Sequence, residues 1–298
     1  MANLKEIRTR IASVTSTKQI TSAMKMVAAA KLKKSQDAVT NFRPYALKMQ
    51  EIIANVSSQD GQGGNAYSDE RDYRRALIVV VTSNRGLCGA FNSNAIKEAV
   101  QLAERKYKQH LTADKIHFLS IGKKGYDALR KRKLPLEEAK TDIVDNPEYD
   151  KIAEVAQTLT DSFLNGRFDS IDIVYNEFIN AATQKVVCKQ FLPLVHEAKS
   201  GTGEGKKKKI KQVDYIFEPD KEYIINELIP QNLRIMLYEA LLDSIASEFG
   251  ARMTSMHQAT DNATTLIQDL TLQYNKARQA AITNEILEIV GGAEALKG

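Results

Sequence analysis

Cysteine is scarce. Cys88 and Cys188 are the only two in 298 residues, a hundred positions apart and in no CxxC pair. That excludes a disulfide framework or a zinc ribbon and fits a reducing compartment. No run of about 18 apolar residues occurs, so no membrane-spanning helix is predicted. The opening residues, "MANLKEIRTRIASV", lack the apolar core of a secretory signal, and a soluble protein retained in the cell is expected. His110, His117, His196 and His257 stand in no metal-ligand spacing such as HExxH, and no GxSxG is present. Solvated or core histidines are the reading, with no catalytic, metal or cofactor-binding residue assigned. What remains is a chain 43% hydrophobic and 27% charged, able to bury the core of one large domain or two smaller ones.

Acidic residues are thin at the start. Residues 1–40 carry Lys5, Arg8, Arg10, Lys18, Lys25, Lys31, Lys33 and Lys34 against Glu6 and Asp37, eight basic against two acidic for a net +6 on that segment. A solvated face and an acidic partner both fit such a run.

Four parts follow along the chain. Residues 1–56 read as helix, with Leu4, Ile7, Ile11 and Val14 at alternating spacing and Ile20, Met24 and Val27 in a displaced register. "AMKMVAAAKLKKSQDAV" is rich in strong helix formers, and Pro44 is expected to kink or interrupt the helix. Residues 57–75 turn to Gly, Ser, Asn and charge, a linker. Residues 76–220 read as an α/β domain. Its predicted strands are "ALIVVVTS", "KIHFLSIG", "SIDIVYNEFI" and "QKVVCKQFLPL", with helices around 93–109, 123–133 and 148–165. The sheet is therefore at least partly parallel, with a hairpin at one edge. Residues 200–212, "SGTGEGKKKKIKQ", read as a flexible basic loop.

Residues 221–298 are the second helical part. From about Leu233 the chain has no proline, and its glycines are Gly250, Gly291, Gly292 and Gly298. A single helix of about 64 residues would be on the order of 95 Å long. Phe249, Met253, Met256, Thr260, Ala263, Ile267, Leu270, Tyr274, Ala277 and Ala281 alternate four and three, the seam of a left-handed coiled coil. An ordinary bundle helix would show a broader stripe and be shorter. After Ala281 the register slips to Ile282, Ile286 and Ile289. The two terminal helices are expected to pair antiparallel with the α/β domain inserted between them, a rod carrying a knob.

The stretch "SNRGLCGAFN", Ser83 to Asn92, has the strand, glycine loop and helix start of a nucleotide-binding turn. Gly86 and Gly89 give only GxxG. The third glycine of a dinucleotide turn and the Gly-Lys-Ser/Thr of a P-loop are missing, so a tight strand-to-helix turn is the better reading.

At this point the chain resembles the gamma subunit of the F-type ATP synthase, bacterial type. "ITNEILEIVGGAEAL" is similar to the family's C-terminal signature through Ile282, Thr283, Glu285, Glu288, Gly292 and Ala293. "IRTRIASVTSTKQITSAMKMVAAAKLKKSQ", "ARMTSMHQATDNA" and "YNKARQAAIT" resemble it too, so the likeness spans essentially the whole chain. "NRGLCGAFN" resembles the family's "RGLCG" landmark, which is no nucleotide site there; Ala90 departs where a further glycine is common.

The resemblance implies a central rotary shaft. Paired helices stand in a hexamer of alpha and beta subunits, the globular domain sits on the c-ring with the epsilon subunit, and rotation sets the conformation of each beta subunit in turn. The hexamer makes the ATP, so the chain itself is non-catalytic. By family position Arg252, Gln279 and Thr283 resemble residues that engage an acidic loop of beta, and Met24 resembles a methionine facing beta. Tyr215 and Glu218 resemble positions near the c-ring, and Ile286, Ile289, Val290 and Leu296 are the apolar end for an apical collar. A peripheral place on the cytoplasmic face of a bacterial membrane is implied. The plastid form's cysteine-pair insertion is absent, so redox control is not expected. Two rivals stay open: an enzyme on the α/β scaffold, and a coiled-coil scaffold or nucleic-acid binder using the basic helix.

Overall fold

The computed structural model describes residues 4–58, 66–67, 71–72, 74–108, 111–194 and 221–295. In chain order the elements are α1 (Leu4–Ser58), β1 (Ala76–Val81), α2 (Phe91–Leu102) continuing into a π-helical turn (Ala103–Tyr107), β2 (Ile116–Ile121), α3 (Lys123–Lys131), the short α4 (Asp142–Asp145), α5 (Tyr149–Leu164), β3 (Ser170–Phe178), β4 (Gln184–Leu192) and α6 (Lys221–Ala295). The chain divides into two compact units, one of Met1–Ala29 with Arg252–Gly298 and one of Ala30–Ala251.

The larger unit is built on a mixed sheet in the order β2-β1-β3-β4. β1 runs parallel to both β2 and β3, and β4 returns antiparallel to β3. Every side chain of β1, "ALIVVV", is buried, as an inner parallel strand covered on both faces requires. Its alternate residues serve two cores. Leu77, Val79 and Val81 join Ile152, Leu159 and Phe163 of α5 and Leu233, Leu237 and Leu241 of α6. Ala76, Ile78 and Val80 face Ala95, Ile96 and Ala99 of α2 with Leu129 of α3. The outer edge of β2 is covered as well. Residues 135–140 lie along it, with Phe118 N–H donating to the Pro135 carbonyl, and Glu137 and Lys140 N–H donating to the Phe118 and Ser120 carbonyls. That covering segment was not foreseen.

Here α1 and α6 pack antiparallel. Val39 clusters with Leu242 and Ala246, while Ala46 and Met49, farther along α1, cluster with Ile235, farther back on α6. Both helices run through a proline. The expected interruption at Pro44 does not occur, because Val39 and Phe42 before it and Ala46 and Met49 after it are held against α6. α6 likewise begins at Lys221 rather than near Leu233 and passes Pro230 between the buried Ile229 and Leu233. Tertiary packing outweighs the roughly 3 kcal/mol that an interior proline costs.

In the smaller unit the buried stripe of α1 is Leu4, Ile7, Ile11, Val14, Lys18, Thr21, Lys25 and Ala28, each buried or half-buried at strict three-four spacing. This corrects the displaced register. Ile20 and Val27 are 60% and 57% exposed, because the seam continues through polar positions rather than following the apolar ones. Lys18 and Lys25 are half-buried there, which a long apolar stem with a solvated head can accommodate.

Candidate functional site

The glycine turn after β1 is internally bonded. Ser83 N–H donates to Asn92 Oδ1 at 2.9 Å, the Asn92 amide donates to Ser83 Oγ at 2.8 Å and Cys88 Sγ at 3.2 Å, and Ser83 Oγ donates to the Arg85 carbonyl at 2.6 Å. The left-handed residues are Leu87, φ 66°, and Gly89, φ 58°; Gly86 is not among them. The decisive glycines follow β2 instead. A Cβ on Gly122 would stand 2.1 Å from the Thr82 carbonyl oxygen, and one on Gly125 would stand 2.4 Å from Ser120 Oγ. Their absence lets the start of α3 press against the end of β1.

That contact uses the amides to which a phosphate would bind at a helix N-terminus. Lys123 N–H donates to Asn84 Oδ1 at 3.0 Å, Lys124 N–H to the Ser83 carbonyl at 3.1 Å and Gly125 N–H to Thr82 Oγ1 at 2.9 Å. The turn is a closed joint between β1 and α3.

A second polar cluster sits at the β3–β4 edge and was not legible in the sequence. The π-helical turn presents Lys106, whose Nζ lies 2.8 Å and 3.0 Å from the two carboxylate oxygens of Asp172 and 2.9 Å from Gln190 Oε1. Tyr107 hydroxyl bonds Ser170 Oγ at 2.7 Å and also donates to Asp172. The Asp172 carboxylate, 4% exposed, is thus matched by a cation and a hydroxyl. Beside it, burial and the neighbouring Glu98 push the Cys188 thiol up to about 12, which keeps it protonated and unreactive at neutral pH.

A third ionisable group, Asp243 on α6, is 4% exposed and 3.2 Å from Arg43 on α1. Burial raises its pKa to about 6 despite the opposing pull of Arg43. Burial and the same acidic neighbourhood push Tyr175 well up. His117 pairs with Glu137 at 3.1 Å and His257 with Asp261 at 3.3 Å, while His110 and His196 lie outside the described residues. Among the described residues no group of three or more His, Cys, Asp or Glu side chains is arranged to hold a metal.

In the smaller unit the two helices meet through a cross-helix hydroxyl contact, Thr21 to Thr260, at 2.9 Å. Counting outward from it in opposite directions sets Lys18 level with Ala263, Val14 with Ile267, Ile11 with Leu270, Ile7 with Tyr274 and Leu4 with Ala277. The burial of α6 agrees. From Thr265 to Ala277 the residues not exposed are Ile267, Leu270, Tyr274 and Ala277, all expected seam positions. α1 begins level with Ala277, and every residue from Arg278 to Glu294 is exposed.

The family-derived residues fall on both sides of that boundary. Met24 is half-buried on α1 and Arg252 is buried at 8% exposure. Gln279 and Thr283 are exposed one turn apart, with Thr283 Oγ1 donating to the Gln279 carbonyl at 2.9 Å. Ile286, Ile289 and Val290 are 55%, 67% and 54% exposed on a helix with no second helix beside it among the described residues. Tyr215, Glu218 and Leu296 lie outside the described residues, as do the 200–212 loop and most of the expected linker.

Comparison with known proteins covers the same span. Residues 3–296 match the family described as ATP synthase. The chain is 54% identical to the ATP synthase gamma chain of Flavobacterium psychrophilum over 100% of both chains. It is similar in structure to a chain of the Tetrahymena thermophila mitochondrial ATP synthase central stalk and c-ring, at 26% identity, covering 80% of this chain and 99% of that one with a TM-score of 0.57. A chain of the Euglena gracilis mitochondrial ATP synthase shares the fold at 23% identity and a TM-score of 0.72, covering 98% of this chain and 94% of that one.

Proposed function

The chain belongs to the gamma-chain family of the F-type ATP synthase, the central stalk, and from that premise we propose that it works as a rotating, non-catalytic shaft. The observation that carries this reading is the helix beyond Ala277. Ile282, Ile286, Leu287, Ile289 and Val290 are 48–67% exposed on a single helix, an apolar surface that free solvent disfavours and a surrounding apolar collar would bury. Such contact grips without directional bonds, so the shaft can turn against it.

Torque is transmitted by differential contact. A shaft with unlike faces stabilises a different conformation in each beta subunit it meets, and turning it shifts those populations in order. Gln279 and Thr283 offer neutral hydrogen bonds to an acidic loop of beta. Arg252 is by family position the cationic partner for that loop, its side chain buried at 8% exposure in this chain alone, and Met24 packs against beta from α1. The basic residues of α1 attract the same acidic surface over about 10 Å without fixed geometry. The c-ring, which the ion current turns, and the epsilon subunit are the partners at the other end, with Tyr215 and Glu218 assigned to the c-ring by family position alone. No helix among the described residues is long and apolar enough to cross a membrane, and in this reading the chain attaches to the cytoplasmic side through its partners.

Reconstitution with alpha and beta subunits tests the proposal. The chain alone should hydrolyse no ATP, and its addition should give a complex in which ATP drives rotation of a bead fixed to the chain. Arg252→Ala should lower turnover of that complex. Hydrolysis by the isolated chain would point to an enzyme, and salt-sensitive DNA binding without assembly would point to a nucleic-acid scaffold.

A further inference from the structure

Gly250 stands inside α6, where glycine weakens a helix and supplies no side chain. A close approach requires it. A Cβ there would lie 3.0 Å from the Ala181 carbonyl oxygen, 3.3 Å from Ala181 Cα and 3.4 Å from Gln184 Nε2, whereas Gly291 and Gly292 meet nothing within 4 Å. The approaching group is the turn of the β3–β4 hairpin.

That turn is stiff. Asn180 Oδ1 accepts from Ala182 N–H at 3.0 Å and Thr183 N–H at 2.7 Å, Asn180 and Thr183 exchange backbone bonds of 3.2 Å, and the Gln184 amide donates to the Ala181 carbonyl at 3.2 Å. The hairpin also follows α6 up to this point. Phe178 packs against the cluster of Val39, Leu242 and Ala246, and Ser247 Oγ donates to the Asn176 carbonyl at 3.0 Å. Apolar contact, a hydroxyl bond and backbone against backbone succeed one another along the helix. Gly250 is one residue from Ala251, the last residue of the larger unit.

We propose that the hairpin turn seated on Gly250 is the brace through which the sheet holds α6 under load, with Gly250 and Asn180 as positioning residues for coupling. This rests on the rotary reading above. Side-chain contacts yield under load by changing rotamer, and a backbone-to-backbone seat lacks that freedom. The brace therefore keeps this turn of α6 seated on the hairpin while twisting force is applied.

The test uses the whole complex in inverted vesicles, measuring ATP hydrolysis and ATP-driven ion pumping together. Gly250→Val should leave hydrolysis nearly unchanged and lower ions pumped per ATP by roughly threefold. Gly250→Ala should give a smaller loss in the same direction, and Asn180→Gly, which loosens the turn, should recover part of the loss in Gly250→Val. An unchanged ratio of pumping to hydrolysis in the valine variant, or no recovery with Asn180→Gly, overturns the brace. Should the valine variant fail to assemble, an unchanged ratio in Gly250→Ala overturns it instead. A wild-type chain that neither assembles nor supports pumping sinks the rotary reading rather than the brace.

Discussion

The two stretches of α6 on either side of Ala251 differ in how much of their circumference is buried. From Asn232 to Gly250 no residue is exposed: Leu233, Leu237 and Leu241 face the sheet, while Ile235, Leu242 and Ala246 meet α1. From Thr265 to Ala277 one narrow seam is covered, and from Arg278 to Glu294 nothing is. The width of the buried stripe counts the neighbours, here a sheet and a helix, then one helix, then none among the described residues. The first stretch is held on every side, and the last is the part that the proposed rotary reading would have slide.

Truncating an apolar residue in each setting gives the largest effects. Leu237→Ala, in a fully buried site, should lower unfolding stability by about 3 kcal/mol. Leu270→Ala, 5% exposed in a two-helix seam that can close around the gap, should cost about 1–2 kcal/mol. Ile286→Ala should change stability by less than about 0.5 kcal/mol while slowing rotation of the complex. Denaturant unfolding of the three variants checks the order, and equal losses would erase the distinction.

Asp243 gives the next largest effect and probes the buried stretch alone. Its carboxyl keeps a proton to about pH 6 in the folded chain, where an unfolded aspartate loses it near pH 4. Between those values the folded state binds more protons, so stability falls as pH rises from about 4 to 6, by at most about 3 kcal/mol. Asp243→Asn should flatten that decline in unfolding measured across the range. A decline of the same steepness in the variant would return Asp243 to the ordinary acids.

Much of this was readable beforehand. Short apolar runs located the four strands among the described residues, since a buried strand has little choice of residue, and three-four spacing located the α6 seam as far as Ala277, the expected position at Ala281 being exposed. The α1 seam was misread because Lys18, Thr21 and Lys25 lie on it while Ile20 and Val27 do not. A helix pair needs small or flexible groups there, and apolar periodicity does not report them. The tight glycine turn after β1 is there, with Gly89 at φ 58°, but the glycines that matter for packing went unread for a related reason. "RGLCG" carries the pattern, but Gly122, Gly125 and Gly250 carry the close contacts, with chain segments distant in sequence. Of the family-derived residues, Gln279 and Thr283 are exposed as a partner surface must be, whereas the burial of Arg252 depends on packing that spacing does not encode.

The smallest effect belongs to the seam itself, at Thr21 and Thr260. Thr21 Oγ1 also lies 3.1 Å from the Lys18 carbonyl and Thr260 Oγ1 2.8 Å from the Met256 carbonyl. Two hydroxyl protons serve three contacts, so forming the cross-helix bond gives up one bond within a helix, and the net gain is about 0.5 kcal/mol. Its value lies in register rather than strength: in a seam of small and apolar groups, one polar layer penalises any slip that separates it. Replacing both threonines by valine should therefore leave stability equal or slightly higher, with a coupling of about 0.5 kcal/mol between the two sites. Cysteines placed at Val14 and Ile267 should cross-link in either background, but cysteines at Val14 and Tyr274, one heptad out of step, should cross-link measurably only in the double valine variant. If that slipped product forms equally with the threonines present, register is set by the broad packing of the Asn232–Gly250 stretch, and the narrow stretch contributes none of it.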